Sequence, residues 1–235
     1  MKRDSTGGSE QTPEPAANRG VTRRDALRRG AALGGAVVGT AGLAGCVSAP
    51  ADALLAEGFE SDVDWETAAS IGPEEPLSAF DWRIQRSRSQ AATGEWSLEL
   101  FTEGDHDDGT AWATTTLTPP ADASSFSVSL QAWSASESFN ALRDLVVLLG
   151  PEQPTDESSF PSPGENTSST PGAPAGGPHE PLHLADGWRE YGFDWRPETV
   201  PETLHFAVGV SVIWEADAAH YVDDVEIAAS TDASR

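Results

Sequence analysis

Beyond residue 54 the chain alternates between apolar and polar positions in short runs. In segment 125–133, Phe126, Val128, Leu130 and Ala132 take turns with Ser127, Ser129, Gln131 and Trp133, a period of two that predicts a strand with one buried and one polar face. Runs at 55–60, 82–87, 96–102, 110–117, 142–149, 188–195, 203–214 and 219–228 predict further strands. Segment 142–149 is ambiguous alone, because Phe139, Leu142, Val146 and Leu149 also fit a helical stripe; its neighbours assign it as a strand. Many short strands with almost no helical signal predict an all-β chain, an antiparallel β-sandwich or jelly roll.

Two segments break the pattern. Residues 151–186 hold 8 of the 17 prolines, with Ser, Thr and Gly runs, and read as a disordered insertion between two strands of one domain. Within it Asn166-Thr167-Ser168 matches the N-glycosylation pattern, with Asn166 as acceptor. At the other break, residues 30–45 form an uncharged, glycine-rich run, too short for the ~20 residues a spanning helix needs. Basic residues cluster just ahead of it, between Arg19 and Arg29.

Thr22-Arg23-Arg24-Asp25-Ala26-Leu27-Arg28 before that run resembles a twin-arginine export signal, and Leu43-Ala44-Gly45-Cys46 resembles a lipoprotein lipobox. The resemblance implies cleavage of residues 1–45, lipidation of Cys46 and a location on the outer face of the cell membrane. Residues 46–54 then form a short lipidated tether, 55–229 the sandwich domain with its insertion, and 230–235 a tail. Cys46 is the only cysteine, so no intramolecular disulfide competes for it.

Residues 1–45 contain 7 of the 14 basic and 4 of the 38 acidic residues, which leaves 7 against 34, a net charge near −27. Such repulsion is screened where the Debye length falls to ~3 Å at 1 M salt. This predicts a multimolar-salt habitat, that of a halophilic archaeon. Nucleic acid is excluded as a partner, since phosphate binding needs clustered Lys and Arg. Eight Trp and eight Phe supply enough apolar surface for a folded core despite the acidity.

Four segments in order, Gly58-Phe59-Glu60-Ser61 with Trp65, Ala92 to Leu100, Gly187 to Tyr191, and His220 to Ile227, resemble the jelly-roll carbohydrate-binding modules attached to xylanases and cellulases. The resemblance implies a glycan-binding, non-catalytic module. It also implies a structural calcium between first and last strands, carried here by Glu60 and Asp223, with Asp224 as substitute. Calcium takes 6–8 oxygen ligands, which carboxylates and backbone carbonyls of adjacent strands can supply.

Sugar binding requires a flat aromatic face flanked by planar polar groups. Trp133 with Gln131 on the same non-core face is the strongest pair, and Trp112, on the face of Thr114 and Thr116, extends it; Trp96, Trp188 and Trp195 are expected in structural roles. Arg83, Arg86 and Arg88 are expected to pair with acids of the same domain. Asp105, Asp107 and Asp108 do not match a calcium loop and read as a hydrated turn. No nucleophile elbow or zinc-protease motif occurs, and the five histidines are dispersed. A β-sandwich glycoside hydrolase or polysaccharide lyase, and a structural envelope lipoprotein, are the alternative readings.

Overall fold

The computed structural model describes residues 53–62, 64–135, 142–182, 185–213 and 216–231. Arg23, Arg24, Cys46, the tether up to residue 52 and the tail from 232 lie outside them. The described residues form β1 (Ala53–Glu57), β2 (Glu66–Ser70), β3 (Trp82–Ser87), β4 (Ser97–Thr102), β5 (Thr110–Leu117) and β6 (Ala123–Ser134). They continue through β7 (Arg143–Gly150), β8 (His179–Pro181), β9 (Gly187–Trp195), β10 (Leu204–Val212) and β11 (Ala218–Thr231). Every pairing is antiparallel.

The chain is an antiparallel β-sandwich of the expected class. Its first sheet runs β3-β4-β11-β6-β9, and its second β2-β5-β10-β7-β8. Strand β11 is 14 residues long and serves two partners on one side. Ala218–Val222 pair with β4, and Val225–Ala228 pair with β1. The exchange of partners falls at Asp223 and Asp224, where the register against β6 also slips and Asp224 adopts a positive φ of 47°. Such a bulge re-aims side chains at the junction of three strands.

Between the sheets lie Phe126, Val128, Leu130, Leu145, Val147, Leu149, Phe206, Val208, Val222 and Ile227. The core side of β6 is the predicted one. Strand β7 is a strand rather than a helix, and every residue in it is buried. Both of its faces are covered, so the alternation that marks a half-exposed strand is missing.

What covers the second face is the segment expected to be disordered, and that expectation is corrected. The 151–186 segment supplies β8 and lays Phe160 and Ala175 against Trp112, Val146, Leu148 and Ala207 on the outer face of the second sheet. It is anchored by its backbone: Leu149 N–H donates to Gly176 O at 2.7 Å, Gly176 N–H to Leu149 O at 2.8 Å, and Val147 N–H to Pro178 O at 3.0 Å. Prolines suit this cap because they bring no N–H to satisfy and lose little entropy on ordering. Gly177 is required where the cap crosses β7: its φ is 155°, and a Cβ would stand 1.8 Å from Val147 O. Under the cap, His179 Nδ1 bonds Pro161 O at 2.7 Å and His179 Nε2 lies 3.4 Å from Asp144 Oδ2. Strands β2 and β8 are the two elements that periodicity did not mark.

Candidate functional site

The outer face of the first sheet is not covered by the cap, and cross-strand register assembles its side chains. Tyr221 of β11 faces Trp133 of β6, which faces Trp188 of β9. These rings form one row across three strands, with Trp133 edge-on to Tyr221 at 5.4 Å between centroids. Tyr221 is 7% exposed, whereas Trp133 and Trp188 are half-buried and open to solvent on one side. The row continues through Glu99 of β4 to Gln85 of β3. Beside it runs a polar row of Asp223, Gln131 and Glu190.

The Tyr221 end is organised by charge. Arg83 Nη2 donates to Glu99 Oε1 at 3.0 Å and Gln85 Nε2 donates to the same oxygen at 3.2 Å, while the Arg83 guanidinium lies 4.7 Å over Phe101. Burial alone would raise the Glu99 carboxyl, but hydrogen bonds from Arg83, Ser87 and Gln85 together with the Arg83 charge hold it below the ordinary glutamate range. Burial lifts the Tyr221 hydroxyl above its ordinary value against a hydrogen bond with Ser89.

One wall of the face is the β3–β4 loop, clamped by three acids. Asp223 Oδ2 accepts the N–H groups of Ala92 at 2.8 Å and Thr93 at 3.1 Å, and Thr93 Oγ1 donates to Asp224 Oδ1 at 2.7 Å. Glu60 Oε1 accepts from Glu95 N at 2.8 Å and Trp96 N at 2.9 Å. Gly94 makes the close approach possible, since its φ is 63° and a Cβ would lie 2.1 Å from Glu60 Oε1. Asp223 is 0% exposed. Burial drives its carboxyl up to about 6 despite three backbone N–H donors.

The structure redistributes the sequence-predicted residues. Trp133 and Gln131 share the open face, as expected. Trp112 does not join them: it is 1% exposed, on the opposite sheet beneath the cap, edge-on to Phe160 at 5.7 Å, which corrects its assignment to the platform. Trp188, expected in a structural role, stands instead beside Trp133. Trp195 is structural, stacked on Phe126 with Nε1 donating to Ala173 O at 2.9 Å. Trp96 is bracketed by Arg86 at 4.2 Å and Arg88 at 4.4 Å. The three arginines pair within the domain, Arg83 with Glu99, Arg86 with Asp62 and Arg88 with Glu95. Tyr221, Gln85, Glu99 and Glu190 were missed; the period-two pattern of their own strands was the available signal, and strand adjacency was the missing one.

Glu60 and Asp223, expected as calcium ligands, lie on either side of the 92–96 turn and engage its amides. Asn166 Nδ2 donates to Glu180 Oε1 at 2.9 Å, and Asn166 Oδ1 accepts from Ser168. Among the described residues no group of three or more His, Cys, Asp or Glu side chains converges as metal ligands would. A hollow of about 670 Å³ beside the start of β1 and a hollow of about 520 Å³ under the cap each contain one carboxylate, Asp122 and Glu165.

No family profile matches the chain, and no curated relative matches it. Solved structures of similar architecture exist. A carbohydrate-binding module of the β-sandwich superfamily, described for promiscuous specificity, aligns with TM-score 0.48 and 15% identity over 73% of this chain, which spans 60% of that one. The CBM22-1 xylan-binding domain of Paenibacillus barcinonensis Xyn10C aligns with TM-score 0.45 and 15% identity over 77% of this chain and 97% of that domain. TmCBM61, solved with β-1,4-galactotriose, aligns with TM-score 0.43 and 10% identity over 74% of this chain and 95% of that one.

Proposed function

We propose that this protein is a non-catalytic glycan-binding sandwich held at the outer face of the cell membrane by lipid on Cys46. The row of Tyr221, Trp133 and Trp188 flanked by Gln131 and Gln85 carries the reading. Indole faces stack on the C–H side of sugar rings, and side-chain amides bind hydroxyls in planar geometry. An open face of a rigid sheet suits a polymer better than an enclosed pocket does. The reading is supported further by the acid-clamped 88–96 loop, which walls the face.

Affinity electrophoresis against soluble polysaccharides in multimolar KCl tests the platform. Trp133→Ala and Trp188→Ala each weaken binding by at least ~10-fold, equivalent to ~1.4 kcal/mol, and Trp112→Phe, buried on the other sheet, leaves it unchanged. Unaltered binding in both alanine variants would sink the platform. The anchor has its own test: Cys46→Ser sheds the protein into the medium or blocks processing, and retention at the surface would argue against lipidation. We further propose a calcium ion at the Glu60 and Asp223 carboxylates, which flank the 92–96 turn, the ion replacing backbone N–H groups that they accept. Calcium then raises the melting temperature relative to chelator, and identical melting removes the ion from the proposal.

A further inference from the structure

Strand β9 places Glu190 two residues beyond Trp188 on the same face, about 7 Å along the strand and opposite Gln131. One row farther, Glu226 of β11 faces Ser129, which in turn faces Gly192. The two rows next to the rings therefore carry two carboxylates, Glu190 in the first beside Gln131 and Glu226 in the second beside the small Ser129 and Gly192. Glu190 is exposed and Glu226 half-exposed, and neither has an ion-pair partner among the described residues.

Among the described residues no free cation balances them. Of the described arginines, only Arg83 stands on this face by register, and its guanidinium is engaged by Glu99 and Phe101. Arg189 lies on the other face of β9, 5.5 Å over Tyr191. A uronic acid laid on the rings would meet unpaired carboxylates without a countercharge, and a neutral sugar would leave Glu190 and Glu226 solvated but idle. An ammonium group satisfies both features at once, through charge-assisted hydrogen bonds to carboxylate and attraction to the indole face.

We infer that the ligand of this face is a polysaccharide carrying free amino groups, an amino-sugar polymer that is not N-acetylated, a specificity that rests on the glycan platform proposed above. High salt makes the assignment local. At 1 M salt the Debye length is ~3 Å, so the acids scattered over the molecule cease to attract and a carboxylate in contact remains effective.

The test compares glucosamine oligomers with N-acetylglucosamine and glucose oligomers of matched length, bound at mildly acidic pH in multimolar KCl. The amino oligomer binds at least ~10-fold tighter, a ~1.4 kcal/mol preference. Glu190→Gln abolishes that preference while leaving the neutral oligomers' affinity in place, and Asp105→Asn, on a remote exposed turn, retains it. Equal binding of amino and neutral oligomers overturns the specificity and leaves the platform standing. A preference that is present at low salt but absent in multimolar KCl, or that falls equally in Asp105→Asn, also overturns it, because attraction is then general. Failure of all three oligomers to bind sinks the specificity and counts against the platform.

Discussion

Asp223 concentrates several demands in one side chain. It sits at the bulge of β11, is fully enclosed, and accepts three backbone N–H groups, yet burial dominates and its carboxyl rises from 3.8 to about 6. The folded state therefore holds the proton more tightly than the unfolded chain, and this group's contribution to stability declines as pH rises from about 4 to about 6 and is level above. His179 acts in a neighbouring window. Burial lowers its pKa, but the bonds to Asp144 and Pro161 outweigh burial and raise it, so its contribution is complete below about 6.5 and fades as pH climbs through the raised value. Urea midpoints measured across pH should fall through both windows in succession. Asp223→Asn removes the lower one and costs about 1–3 kcal/mol by turning an acceptor into a donor against backbone N–H; His179→Gln removes the upper one. A Asp223→Asn variant with the wild-type pH slope would place the titration elsewhere.

At the scale of elements, legibility followed what a strand's own period can report. The two faces of β6 were readable, hence Trp133 and Gln131, because alternation directly encodes which side chains meet the core. Trp188 and Tyr221 were not, since they reach Trp133 only through pairings between strands far apart in sequence, and composition is silent on register. Trp112 was placed on the correct face of β5, but its cover was invisible: one phenylalanine and a ladder of backbone bonds from a proline-rich segment leave no periodic trace. The cap is thus predicted to be a docked layer rather than a tether. Phe160→Ala destabilises by ~3–5 kcal/mol as a cavity opens over Trp112, and amide exchange at Val147 and Leu149 accelerates selectively. Unchanged protection at both amides would show that the cap does not hold through Phe160.

The whole molecule carries a formal charge of −24 at pH 7, and few of the described acids have cationic partners. Its melting temperature should climb with KCl up to at least the molar range, as screening removes self-repulsion; a salt-independent melting temperature would contradict the brine habitat inferred from composition. The assembly order of the first sheet has a different consequence. Its central strand, β11, is the last described strand to be synthesised, while β1, β3, β4, β6 and β9 all precede it. Until β11 emerges, β4 and β6 lack the neighbour that joins them, so the face bearing Trp133 cannot close before residues 218–231 are made. Long-range pairing of this kind is slow and leaves strand edges open. The time between synthesis and a completed sheet is set by residues 218–231, and any machinery that moves only finished domains must wait for them.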